Sequence, residues 1–209
     1  MKRVYYYYVI LIVLNFIFGM ISNKLLSTNE LLVDSLIEQF SIEQVQKLIT
    51  FQEKWKWIGY AMLPVLLLIK TSIIAGILDA GCFFFSKEIK YKKLFHIVLK
   101  AEYVFLLVII FKTTWFYFFQ IDYNLEDLQY FYPLSALNII GYDGLQPWFI
   151  YPFQVLNLFE LAYWFFIAYL IGKELNENID RGFSIVASSY GVSLLIWVVG
   201  VMFFTLNMS

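Results

Sequence analysis

Five long apolar blocks, each about 20 residues or more and so long enough to cross a hydrocarbon core of about 30 Å as a helix, leave this chain few ways to fold. They run over about 4–22, 58–85, 94–119, 149–172 and 183–206. Backbone polar groups find no water in lipid and must bond within the segment, which a helix does and a lone strand does not; the dyad alternation of a barrel is missing. Charged residues make up 15% of the 209, far below the roughly 25% of a soluble domain, so there is too little polar surface for these blocks to hide behind. The expected fold is therefore all-α: a polytopic membrane protein, a five-transmembrane-helix bundle forming one integral membrane domain over 1–209. The first block follows "MKR" as a signal peptide would, but its apolar run exceeds the usual run of about 7 to 15 residues and no small-x-small cleavage site follows, so it reads as an uncleaved anchor.

Basic residues assign the two sides. Lys2 and Arg3 precede the first span, Lys87, Lys90, Lys92 and Lys93 lie between the second and third, and Lys173 and Arg181 lie between the fourth and fifth. The segment 120–148 has no Lys or Arg, only Asp122, Glu126, Asp127 and Asp143. By the positive-inside rule the N-terminus is cytoplasmic and the C-terminus lies outside, periplasmic if the membrane is a bacterial inner membrane. Tyr5 to Tyr8, Trp55, Trp57 and the run Trp115–Phe119 fit aromatic belts at the interfaces.

Composition also removes whole classes of function. A net charge of −1 offers no basic surface to nucleic acid. One cysteine, Cys82, allows neither a disulfide framework nor a thiolate metal site, and one histidine, His96, gives little support to a histidine metal site or a Ser-His triad. No phosphate-cradling glycine loop, HExxH or GxSxG occurs. The expectation is a protein that is not an enzyme and that uses no metal or other cofactor.

Two outer segments remain. Ser27 with Glu30, and Ser41 with Gln44, have capping-box spacing, which predicts short helices over 27–56. In the second of them Ile42, Val45, Leu48, Ile49 and Trp55 recur at helical spacing, an amphipathic stripe that can rest on the lipid bilayer or dock other membrane proteins.

The spans themselves hold charges. At about 1.5 Å per residue, Lys70 lies roughly 18 Å below Ile58, and Glu160 roughly 16 to 17 Å below Phe149 on a span running the same way. Asp79 and Lys100 each lie roughly 9 Å from the opposite face. An unpaired charge at mid-bilayer costs about 2.5–3.5 kcal/mol or more, so these heights predict the pairs Lys70 with Glu160 and Asp79 with Lys100 inside the bundle. Such pairs either fix helix register or line a path for an ion or substrate. Ser72, Gly76 and Ala80 on the second span, and Ala187 and Gly191 on the fifth, are spaced as small-residue faces for close helix packing.

The stretch "VLNLFELAYWFFIAYLIGKELNENIDRGFSIVASSYGVSLLIWVV", Val155 to Val199, resembles the end of the Yip1 domain: an apolar fourth helix closing on Gly172, a short polar turn, and a small residue opening the fifth helix. The resemblance implies five spans, a cytoplasmic N-terminus and an outward C-terminus. It carries over no catalytic residue and implies a non-enzymatic membrane adaptor, here of the bacterial type because only "MKR" precedes the first span. The functional expectation is an accessory or adaptor subunit of a membrane protein complex. The alternative is a transporter or permease subunit whose path is lined by Lys70, Glu160, Asp79 and Lys100.

Overall fold

The structure, a computed structural model, describes residues 2–208, with side chains from Val4 to Met208; Met1, Ser209 and the side chains of the basic pair Lys2 and Arg3 lie outside that description. Among the described residues all regular structure is helical, apart from one isolated antiparallel bridge between Ser135 and Asn157. The order is α1 (Lys2–Leu25), α2 (Thr28–Ile37), α3 (Ile42–Phe84), α4 (Tyr91–Ala101), α5 (Val104–Phe118), α6 (Leu125–Tyr130), α7 (Ala136–Ile140), α8 (Pro147–Val155), α9 (Leu158–Leu175), α10 (Ile179–Val186), a π-helical turn (Ala187–Gly191) and α11 (Val192–Met208). Four stretches are helical, long and apolar enough to cross a membrane: Val4–Leu25, Ile42–Phe84, Tyr91–Phe118 and Ile179–Met208.

The expected fourth span is broken. Pro147 and Pro152 start and punctuate α8, and the chain turns at Leu156 and Asn157 before α9 begins. Asn157 manages both ends: its Nδ2 donates to the carbonyls of Gln154 and Val155, while its Oδ1 accepts the Glu160 N–H at 2.8 Å. A side chain that caps one helix and closes another serves the orphaned backbone groups of both. The loop before α7 is stitched to the same point by Ala136 N–H to Leu156 O and Leu158 N–H to Leu134 O. α9 holds 18 residues, three of them charged: Glu160, Lys173 and Glu174.

The capping signals were unequal guides to the second expectation, short helices over 27–56. Ser41 and Gln44 form the full reciprocal box, but the helix they open does not stop at the membrane; α3 continues for 43 residues through Pro64. Ser27 instead adopts a left-handed conformation (φ 43°) and caps nothing with its side chain.

Contacts fix the relative directions. Tyr103 OH donates to Tyr7 O, Leu11 is buried against Leu99 and Leu106, and Thr113 Oγ1 donates to Ser22 Oγ, so α1 runs parallel to α4 and α5. α3 and α9 run the other way. One end of the bundle therefore gathers the N-terminus, the turn after α3 and the turn after α9, tied by Lys87 to Glu177 and Lys93 to Glu174. The other carries the acidic segment 120–148 and the end of α11. The main core lies between α3, α4, α9 and α10, with Leu78, Val98, Tyr163, Ile167, Ile171 and Ile185 sealed from solvent. α10 lies so close to α9 that a β-carbon on Gly182 would sit 2.0 Å from Ala168 O, and one on Gly81 of α3 would sit 2.6 Å from Ser189 Cβ.

Candidate functional site

Three of the bundle's helices are irregular where its polar side chains sit. Between α4 and α5 the ladder tightens, with Phe105 N–H bonding to Glu102 O and Leu106 N–H to Tyr103 O, and the buried carboxylate of Glu102 projects at that joint. α9 starts afresh two residues before Glu160. The last long apolar helical stretch widens into the π turn that carries Tyr190. Such local departures from the α-helix free side chains to point where a regular helix would not aim them, and they recur at functional positions.

The charges form two linked clusters. Lys70 Nζ bonds Glu102 Oε2 at 2.8 Å, Tyr163 OH donates to Glu102 Oε1 at 3.0 Å, and the ammonium lies 4.2 Å from the Phe105 ring centroid. Glu102 is only 5% exposed, so a full cation and a hydroxyl offset its desolvation. In the second cluster Glu160 Oε1 accepts from both Trp164 Nε1 at 2.9 Å and Tyr190 OH at 2.8 Å. The clusters meet where the Tyr163 and Tyr190 rings pack edge to face at 5.6 Å. Glu160 gains further from its place in the first turn of α9, where a negative charge faces the positive end of the helix dipole.

This corrects both predicted pairs. Lys70 pairs with Glu102, not Glu160: the height of Glu160 assumed one helix from Phe149, and the break at Asn157 makes it a first-turn residue of a new one. Asp79 and Lys100 make no ion pair among the described residues. Asp79 is exposed, one position round from the buried Leu78, while Lys100 lies 5.5 Å from the Tyr7 ring. Equal height says nothing of azimuth. Lys112 reaches the carbonyl of Leu128 under the acidic loop.

The small-residue faces divide. A β-carbon on Gly76 would meet nothing within 4 Å and Ala80 is exposed, while Ser72 is half-buried and its carbonyl accepts from Tyr91 OH at 3.1 Å, so this stripe makes no close helix contact at Gly76. Gly191 does pack: its added β-carbon would lie 2.5 Å from the Trp164 ring, while Ala187, in the same π turn, is half-buried. The stripe on α3 also divides. Val45 is buried and Ile49 half-buried, whereas Ile42, Leu48 and Trp55 are exposed, joined by Phe51 and Trp57.

Beneath the acidic loop lies a cavity of about 930 Å³, walled by the ends of α5 and α8, the loop through α7, the start of α9, and Leu194 of α11. Trp115, Phe131, Leu137, Leu161 and Trp164 make it apolar, and Glu160 stands in its wall. Over it, Asp127 closes a capping box with Asn124 and accepts from Tyr142 OH at 2.9 Å, a bond that pushes the Tyr142 hydroxyl up to about 12. Burial, with the nearby charge of Glu160, pushes Tyr132 of the same loop up to about 12.

Tyr163, Trp164 and Tyr190 had no sequence signal, because a chain with 16 tyrosines and six tryptophans gives none of them away. Glu102, two residues beyond Lys100, lies slightly deeper than the Asp79 and Lys100 level, and height alone did not match it to Lys70. The fold and the buried charges together define a helical protein of the membrane-spanning class. No family model, curated protein or solved structure matches the chain.

Proposed function

We propose that this chain is a five-span, Yip1-like accessory subunit of a membrane protein complex, non-enzymatic, with the acidic end outside and the lysine-rich end in the cytoplasm. The observation that carries the reading is the length of α3. At about 1.5 Å per residue its 43 residues reach about 65 Å, roughly twice the hydrocarbon thickness. Its first half is thus a helix standing clear of the bilayer, in contact with α2, with Val45 buried and Ile42, Leu48, Phe51, Trp55 and Trp57 exposed. Interleaved Glu43, Lys47, Glu53, Lys54 and Lys56 keep it from being a one-signed, lipid-seeking face, which favours a protein partner. The transport reading draws less support, because Lys70, Glu160, Asp79 and Lys100 do not fall into one line: the first two belong to separate clusters, and the last two join neither.

The test is a photo-crosslinking residue at Phe51 in native membranes. One discrete adduct with another membrane protein, lost together with co-purification in Phe51→Glu, is the expected result. Absence of an adduct, combined with reaction of a membrane-impermeant thiol reagent at a cysteine beside Lys70, would favour the transporter.

A further inference from the structure

Glu160, half-buried in the first turn of α9, is held in an unusual way for a carboxylate. Trp164 and Tyr190 both donate to Oε1, the backbone N–H is held by Asn157, and Oε2 accepts no hydrogen bond among the described residues. Among the described residues no salt bridge reaches it, and Lys70 pairs with Glu102 instead. The cavity that Glu160 lines contains no Lys, Arg or His, and the whole segment 120–148 contains none either. A carboxylate oriented by two fixed donors, with its second oxygen unbonded and no ion pair among the described residues, is placed to take a cation.

The cavity says what carries the other half. Its volume, about 930 Å³, is in the range of small-molecule sites, and its walls are apolar and aromatic. Leu134, Ile139, Leu156, Leu158 and Leu161, all lining it, are each about half exposed or more, so the opening is framed by hydrocarbon side chains rather than by polar ones. Entry is thus from the bilayer, and the ligand has an apolar tail. The loop above carries Asp122, Glu126, Asp127 and Asp143 against one docked base, Lys112 on the Leu128 carbonyl, and this negative balance repels a phosphate and so disfavours anionic and zwitterionic phospholipid heads. We propose that this cavity binds a membrane-soluble amine, an alkyl amphiphile with a positively charged ammonium head held by Glu160 and a tail lying along Leu158 and Leu161. Trp164, tied to Glu160 and walling the same cavity, adds an aromatic face of the kind that favours cations. The proposal is independent of the accessory role, which rests on α3.

The protein in phosphatidylcholine nanodiscs, titrated with bromododecylammonium and with bromododecanol, gives the test through quenching of Trp115 and Trp164 beyond that in a bilayer control. Wild type binds the ammonium roughly tenfold or more tighter than the alcohol. Glu160→Gln keeps an acceptor for Trp164 and Tyr190, so it retains alcohol binding and loses the preference. Leu161→Phe narrows the cavity and weakens both ligands alike. Equal affinity of wild type for the two ligands, a preference that survives Glu160→Gln, unchanged binding in Leu161→Phe, or no saturable quenching by either ligand would each overturn it.

Discussion

Lys70 answers for Glu102. The carboxylate is nearly sealed, and its two oxygens are taken by one ammonium and one phenol, so removing the ammonium leaves a buried charge with a single neutral donor. Lys70→Met should therefore lower stability in detergent by about 2–4 kcal/mol, while Lys70→Met with Glu102→Met should recover most of the loss. Additive losses in thermal unfolding of the single and double variants would contradict the pairing. The sequence told that such a lysine needs an acid nearby, and this held. It did not tell which acid, because residues per turn give height readily, whereas azimuth depends on how neighbouring helices rotate and on breaks such as the one at Asn157. Asp79 shows the same limit: one step from Leu78 turns it about 100° away from the core.

At the level of helices, glycine decides who approaches whom. α9 and α10 touch backbone to backbone at Gly182 and Ala168, so Gly182→Ala should sharply reduce the yield of folded protein on size-exclusion chromatography. Gly76→Ala, with open space around it, should elute and melt like the parent. If the two behave alike, the assignment of packing faces is wrong. Small-xxx-small spacing revealed where close approach was affordable, but not that Gly76 would face open space among the described residues. Capping chemistry was partly legible too. Ser41 with Gln44 opened a helix as expected, yet the box cannot report how far the helix runs, and nothing between Ile42 and Ile58 breaks it. The interruption of the expected fourth span was harder to see, since "YPFQVLNLFE" is apolar enough to pass for continuous, and only Pro152 and Asn157 mark the change.

Across the whole molecule, charge sorts by end. The lysine-rich turn after α3 meets Glu174 and Glu177, and the acid-only segment 120–148 occupies the opposite side. In a Cys82→Ala background, a cysteine at Asp143 should react with an impermeant thiol reagent on intact cells, and one at Lys90 only after permeabilisation. The opposite labelling pattern would invert the protein in the membrane. Alternation of basic and acidic connections was readable from the chain alone, and the contacts between α1 and α5 agree with it. The long strut α3 adds a mechanical consequence. Tyr8 of α1 pins it at the Pro64 carbonyl with a 2.6 Å hydrogen bond, leaving nearly equal arms on either side. Proline weakens a helix at that point, so a force applied to the distal arm is a torque about this fulcrum, and the proximal arm that it swings is the one bearing Lys70.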